Sequence, residues 1–195
     1  MKKKFNKVQD SGKRQSFDTG SVRDTSEGKG MPHLIAGEVL KRAFFYNKKG
    51  IYKNVFLYHL EQLLLNFTTI QQKRNIDIEL SIVYDCINSI MEYIQEIENG
   101  SYSAVMKRLA IHYENGAKKY DKNNWRKGQP VSRYFDSTMR HLWAEMDGKE
   151  DEDHASAILW NLIGIVQTKI DIEKGLLPKK LDDYPFIVEE VFDKK

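Results

Sequence analysis

The stretch from Asp77 to Glu98 reads DIELSIVYDCINSIMEYIQEIE. Ile78, Leu80, Ile82, Val83, Ile87, Ile90, Met91, Ile94 and Ile97 recur near the helical period, so the spacing predicts a long amphipathic helix. Asn99-Gly100 ends it. Upstream, Val55, Leu57, Tyr58, Leu60, Leu64, Leu65 and Phe67 give a second broad apolar stripe, predicting a helix from Val55 to Lys73. Earlier still, Leu34, Ile35, Val39, Leu40 and Phe44 open a helical pattern after Met31 that Asn47-Lys48-Lys49-Gly50 breaks.

Downstream, a third helix is expected from Ser103, with Val105, Met106, Leu109, Ala110 and Tyr113 on its apolar face. Gly116 either caps it or sits inside it, with Ala117 and Tyr120 continuing the face. A connecting loop is marked by Asp121-Lys122-Asn123-Asn124 and Gly128-Gln129-Pro130. The next helix runs from Ser132 to Met146, and the last starts among the acids at Glu150 to Asp153 and continues through Val166. Acidic residues there suit the positive end of the helix dipole. Sustained period-2 alternation is absent, so the expected fold class is all-α, an antiparallel bundle of about five main helices with a flexible N-terminal leader.

The organisation follows from composition. Residues 1–30 are polar and basic, with eight Lys/Arg against four Asp/Glu, leaving 23 against 24 in the rest. They form the expected leader. Residues 31–175 form a single helical domain, and residues 176–195 a tail punctuated by Pro178 and Pro185. A net charge of +3 over 195 residues gives no argument for nucleic acid as a partner. Cys86 is the lone cysteine, which excludes an intramolecular disulfide and thiolate metal clusters. No apolar run approaches the length of a bilayer span, so no membrane is expected and the compartment is the cytoplasm. The apolar surface of the two helices between residues 50 and 100 exceeds what one small bundle needs, predicting a homo-oligomer, at least a dimer.

Chemistry concentrates between Tyr113 and Asn161. His141 and Glu145 share a helix face, and so do Glu150 with His154 and Asp151 with His154. If the last three helices pack together, Glu114, His141, Glu145, Asp151, Asp153 and His154 converge. Carboxylates around one point repel unless a cation joins them, and Mg²⁺ (or Mn²⁺) suits such a group. Lys118, Lys119, Arg133 and Arg140 are then available for phosphate oxygens. Tyr120, Asn124 and Trp125 could stack on a base and read its edge. Each feature also has a plainer reading. Glu114 and Lys118 make a surface pair, Glu150 to Asp153 a solvated helix start, His141 a hydrogen-bonded core histidine, and Trp125 and Trp160 core.

In order, the chain carries Tyr113-Glu114-x-Gly116-Ala117-x-Lys119-Tyr120-x-x-x-Asn124-Trp125, Gly128-x-Pro130, Arg140-His141, Gly148 and Asp151-x-x-His154-Ala155 through Asn161. Together with Thr19-Gly20-Ser21-Val22-Arg23-Asp24 and Gly28-Lys29-Gly30, this resembles the phage dATP/dGTP diphosphohydrolase family, itself similar to the all-α, MazG-like NTP pyrophosphatases. The resemblance implies a helical, metal-dependent enzyme cleaving a (deoxy)nucleoside triphosphate to monophosphate and pyrophosphate, in the host cytoplasm if phage-encoded. A non-catalytic phage protein that binds and sequesters a nucleotide or nucleotide-derived signal is the alternative. Residues 40–102 read as inserted helices beside the motif-bearing 103–170, and the Glu-Glu-x-x-Glu signature of the MazG-like group is missing.

Carried over, the catalytic candidates are Glu114, Asp151 and His154. Substrate-binding candidates are Arg23, Lys29, Lys119, Tyr120, Asn124, Trp125, Arg140, His141 and Asn161. From the chemistry of Mg²⁺, the metal candidates are Glu114, Glu145, Asp151 and Asp153, with His141 and His154 as ligands or phosphate contacts.

Overall fold

The computed structural model describes residues 11–27, 29, 31–32, 55–68 and 76–185. Within them lie a two-stranded hairpin, β1 (Arg14–Ser16) and β2 (Val22–Asp24), and five α-helices. These are α1 (Val55–Thr68), α2 (Ile76–Ile97), α3 (Tyr102–Tyr120), α4 (Val131–Met146) and α5 (His154–Glu173). The fold is all-α, as the periodicity predicts. The helical pattern after Met31 and the end of the tail fall outside the described residues.

The central element is α5. It is buried along nearly its whole length, from His154 and Ala155 to Lys169 and Asp171, because every other long helix but α1 packs against it. Its start is fixed by Asp153, whose side chain accepts from Ser156 N at 3.0 Å. Ser101 does the same for α3 through Ala104 N. The closest packing is between α4 and α5. A Cβ on Gly164 would lie 2.3 Å from the Tyr134 ring, so only glycine lets the two helices approach this far. Gly116 lies inside α3, which runs on to Tyr120.

The apolar stripes meet in one core. Leu60, Leu64 and Phe67 of α1, Val83, Cys86, Ile90 and Ile94 of α2, and Phe135, Leu142, Ile158 and Leu162 of α4 and α5 are all buried there. Cys86 is the inert thiol its setting suggests, and burial pushes its pKa up. Part of the tail joins the core: Tyr184 packs on Phe67 and Phe135, at 5.9 and 4.7 Å between ring centroids. Asp183 meanwhile accepts from Ser132 N at 2.9 Å, capping the start of α4. Among the described residues, no helix is long and apolar enough to cross a membrane.

Residues 11–27 differ from the flexible leader expected of their composition. Their strands pair antiparallel with Gln15 opposite Arg23. Thr19 Oγ1 donates to Gly128 O at 2.9 Å, which ties the turn to the loop before α4. Three-residue strands held by backbone-to-side-chain hydrogen bonds leave no hydrophobic pattern to read.

Candidate active site

A cavity of about 870 Å³ opens between the hairpin, α3, α4, the loop before α5, and the first half of α5. Each substrate-binding candidate lines it: Arg23, Lys29, Lys119, Tyr120, Asn124, Trp125, Arg140, His141 and Asn161. So do Glu114, Asp151 and His154.

The hairpin wall is pinned by polar side chains of α3 and its following turn. Asn124 accepts from Val22 N at 2.9 Å and donates to Val22 O at 2.6 Å, pairing with the strand as another strand would. Tyr120 Oη accepts from Asp24 N at 2.9 Å. Expected to read and stack on a base, these two residues hold the hairpin in place. Asp24 gathers Lys29 at 2.6 Å and Lys119 at 3.8 Å. Burial alone would raise its carboxyl pKa, but Lys29, Ser11 and Lys119 hold it below the usual value.

Held this way, β2 projects Arg23 inward. Its Nη2 donates to Asn161 Oδ1 at 2.7 Å, and its guanidinium lies 5.5 Å from the ring centroids of both Tyr134 and Trp160. Nη1 is closed off from solvent with no hydrogen-bond partner among the described residues. Asn161 closes the chain of contacts by donating to Ala157 O at 2.7 Å, which explains a polar residue buried in an apolar helix. Arg133 reaches Gln15 at 3.2 Å and Asp136 at 3.6 Å, while its Nε is buried and unpartnered. Burial, and then the positive charge of Arg23, lower the Arg140 pKa to about 10. Trp125 and Trp160 both meet Tyr113 edge-on, forming an aromatic wall.

At the other end of the cavity three donor atoms meet. His141 Nδ1 lies 3.1 Å from His154 Nδ1 and 3.2 Å from Glu152 Oε1, and the latter two are 3.7 Å apart. Glu152 and His154 are buried, and His141 is partly so. The second ring nitrogen of His154 faces Asp151 Oδ1 at 2.9 Å. Burial, then the neighbouring His154 and other charges, hold the His141 pKa well below the usual histidine value, so the ring is neutral. Among the described residues this is the group of His and carboxylates positioned to share an ion.

The four acids assigned to Mg²⁺ do not come together. Glu145 accepts from Tyr93 Oη at 2.6 Å and is not among the cavity-lining residues. Asp153 is spent on capping α5 and on a two-pronged pair with Arg108, at 2.9 and 2.6 Å. Glu114 stands at the exposed rim, paired with Lys118 across one helical turn. Asp151 is near the ion-binding group but faces His154 from the outside. Glu152, which spacing did not single out, is the carboxylate that stands beside His141 and His154 instead. Residues before the helix do not obey its three- and four-residue spacing, so only its place between Asp151 and Asp153 pointed towards it.

Residues 97–175 match the family model described as dATP/dGTP diphosphohydrolase, N-terminal. Over that segment the chain is similar to this family. The diphosphohydrolase segment, less than half of the chain, contains all of α3, α4 and α5 and thus every wall of the cavity but the hairpin. The family's description is that of a nucleotide hydrolase, and His141, Glu152 and His154, placed so that they could share an ion, lie within the matched segment. No curated protein and no solved structure matches the chain significantly.

Proposed function

We propose that the chain is a divalent-metal-dependent pyrophosphohydrolase that cleaves purine (deoxy)nucleoside triphosphates to monophosphate and pyrophosphate. The observation that carries this reading is one cavity lined both by the His141–Glu152–His154 group and by Arg23, Lys119, Arg133 and Arg140. Three guanidiniums so close to one another, with Asp136 as the buried acid among them, favour a polyanion.

In this reading the arginines and Lys119 hold phosphate oxygens, and Tyr113, Trp125 and Trp160 give the base an apolar wall. A water oxygen bonds to the α-phosphorus as the bond to the oxygen bridging the β-phosphate breaks, and pyrophosphate departs with that oxygen. The cationic side chains offset the charge that develops on it. A divalent ion fits the two imidazoles and the carboxylate, and when bound it supplies further positive charge for phosphoryl oxygens.

Incubating the purified chain with dGTP or dATP and Mg²⁺ or Mn²⁺ tests the proposal, with equimolar monophosphate and pyrophosphate expected. Intact nucleotide recovered after denaturation, without pyrophosphate, would replace it with the sequestering alternative. We also propose self-association, supported by the exposed Tyr84, Tyr102, Met106 and Ile111, and light scattering that returns a monomer mass would remove it.

A further inference from the structure

We propose that the resident ion is a transition metal of the Zn²⁺ or Co²⁺ class, bound by His141 Nδ1, His154 Nδ1 and Glu152 Oε1, and that Mg²⁺ is not the ion of this site. The inference deepens the proposed function, since it concerns the same cavity, but it stands on the donor atoms alone.

The first argument is geometric. Ligand atoms about 2.0–2.2 Å from a shared ion, at octahedral or tetrahedral angles, lie about 2.8–3.6 Å apart. Two of the three separations, 3.1 and 3.2 Å, fall in that range, and the third, 3.7 Å, lies just beyond it. Hydrogen bonding does not account for all of them. His154 Nε2 faces the Asp151 carboxylate at 2.9 Å, which places its proton on that nitrogen and turns the lone pair of Nδ1 towards the group. In any tautomer His141 Nδ1 carries at most one proton, to be divided between His154 Nδ1 and Glu152 Oε1. One proton bridges at most two of the three atoms, which all lie within 4.8 Å of one another.

The second argument is chemical. Mg²⁺ is hard, is bound through one or two carboxylates, and keeps its waters, whereas imidazole suits Zn²⁺, Co²⁺ and other transition ions. Two imidazoles and a single carboxylate form a poor Mg²⁺ set and a familiar type of transition-metal set. Asp151 completes it. A carboxylate on the far nitrogen of a ligating histidine fixes the tautomer and raises the basicity of the donor. Asp151 is thus a positioning residue, and its side chain is 48% exposed.

The test is titration of the chelator-stripped full chain with Zn²⁺, Co²⁺, Mn²⁺ and Mg²⁺ separately, followed by calorimetry and, for Co²⁺, visible absorption. One Co²⁺ per chain is expected, with a ligand-field band and an affinity at least 100-fold above that for Mg²⁺. His154→Gln and Glu152→Gln should lose the band while circular dichroism shows the helices retained. Asp151→Asn, exposed enough to leave folding alone, should weaken Co²⁺ by about 10–100-fold. Equal affinity for Mg²⁺, or Co²⁺ binding that Asp151→Asn and His154→Gln leave unchanged, would overturn the proposal. Because the readout is metal and not turnover, a chain that binds Co²⁺ but hydrolyses nothing defeats only the proposed function.

Discussion

Lys169 and Arg23 are both cations enclosed by the same bundle, and they are enclosed differently. Lys169, 1% exposed, lies between Glu79 of α2 and Asp182 of the tail, at 2.6 Å from the latter. Its charge is answered on both sides. Arg23 lies between two aromatic rings with a neutral partner, Asn161, and its Nη1 has no hydrogen-bond partner among the described residues. The first arrangement joins elements and needs nothing from outside. The second keeps a positive charge turned towards a cavity, a state that makes sense if something anionic enters it.

The comparison can be broken from the Lys169 side, where the largest effect is expected. Lys169→Met strands Glu79, 2% exposed, without its cation, and should cost about 3–5 kcal/mol of stability. Urea unfolding measures this, and adding Glu79→Gln should restore part of the loss. Metal binding by the folded fraction should not change. A loss below about 1 kcal/mol would mean that the pair is not the closed unit described.

From the other side, Arg23→Met should lower turnover by about 10²–10³-fold, the scale for losing one donor to developing negative charge. Stability should change by less than about 1 kcal/mol, because an incompletely paired charge leaves with the side chain. The pair of variants thus gives opposite patterns: stability without activity for Lys169, activity without stability for Arg23. If Arg23→Met unfolds the chain instead, the guanidinium is structural and the contrast fails.

His112 sharpens the boundary of the cavity. Burial lowers its pKa to about 4, so it stays neutral while an unfolded histidine, with a pKa near 6.5, takes up a proton. The unfolded state binds more protons between these values. Stability due to this group is therefore present above about pH 6.5 and is lost as pH falls towards 4. Between pH 7 and pH 5 the loss should be about 2 kcal/mol. Since His141 titrates in the same direction, the measurable quantity is the difference between the chain and His112→Leu, whose pH dependence should be flatter by that amount.

The helices were legible because Ile90, Ile94, Leu142 and Ile158 repeat at a period that a buried stripe requires, and all four lie in the core. The contents of the cavity were legible as a set, through Arg23, Lys119, Arg140, His141, His154 and Asn161. Which acids face inward was not. Helical spacing puts His141 and Glu145 on one side of α4, yet a face is wide enough for Glu145 to turn to Tyr93 of α2. Between Asp151, Glu152 and Asp153 the backbone is not helical, so adjacent acids point in unrelated directions: to His154, to the ion-binding group and back to the α5 cap. The hairpin escaped for a different reason. Its strands are stabilised by Asn124 and Tyr120, a hundred residues away, and not by any pattern of their own.

Glu114 gives the smallest effect and the most direct check on that lesson. By sequence it heads the first motif and was assigned to both catalysis and the metal. In the structure its side chain is 61% exposed and paired with Lys118, a surface arrangement of the kind worth about 0.3–0.5 kcal/mol. Glu114→Gln should therefore move stability by no more than about 0.5 kcal/mol and leave Co²⁺ affinity within about threefold, since the ion-binding group is His141, Glu152 and His154. A fall in metal affinity comparable to that of Glu152→Gln would show that the rim closes inward when the ion binds. The exposed pair at Glu114 would then belong with Arg23, among charges set for a ligand, and not among those already answered within the fold.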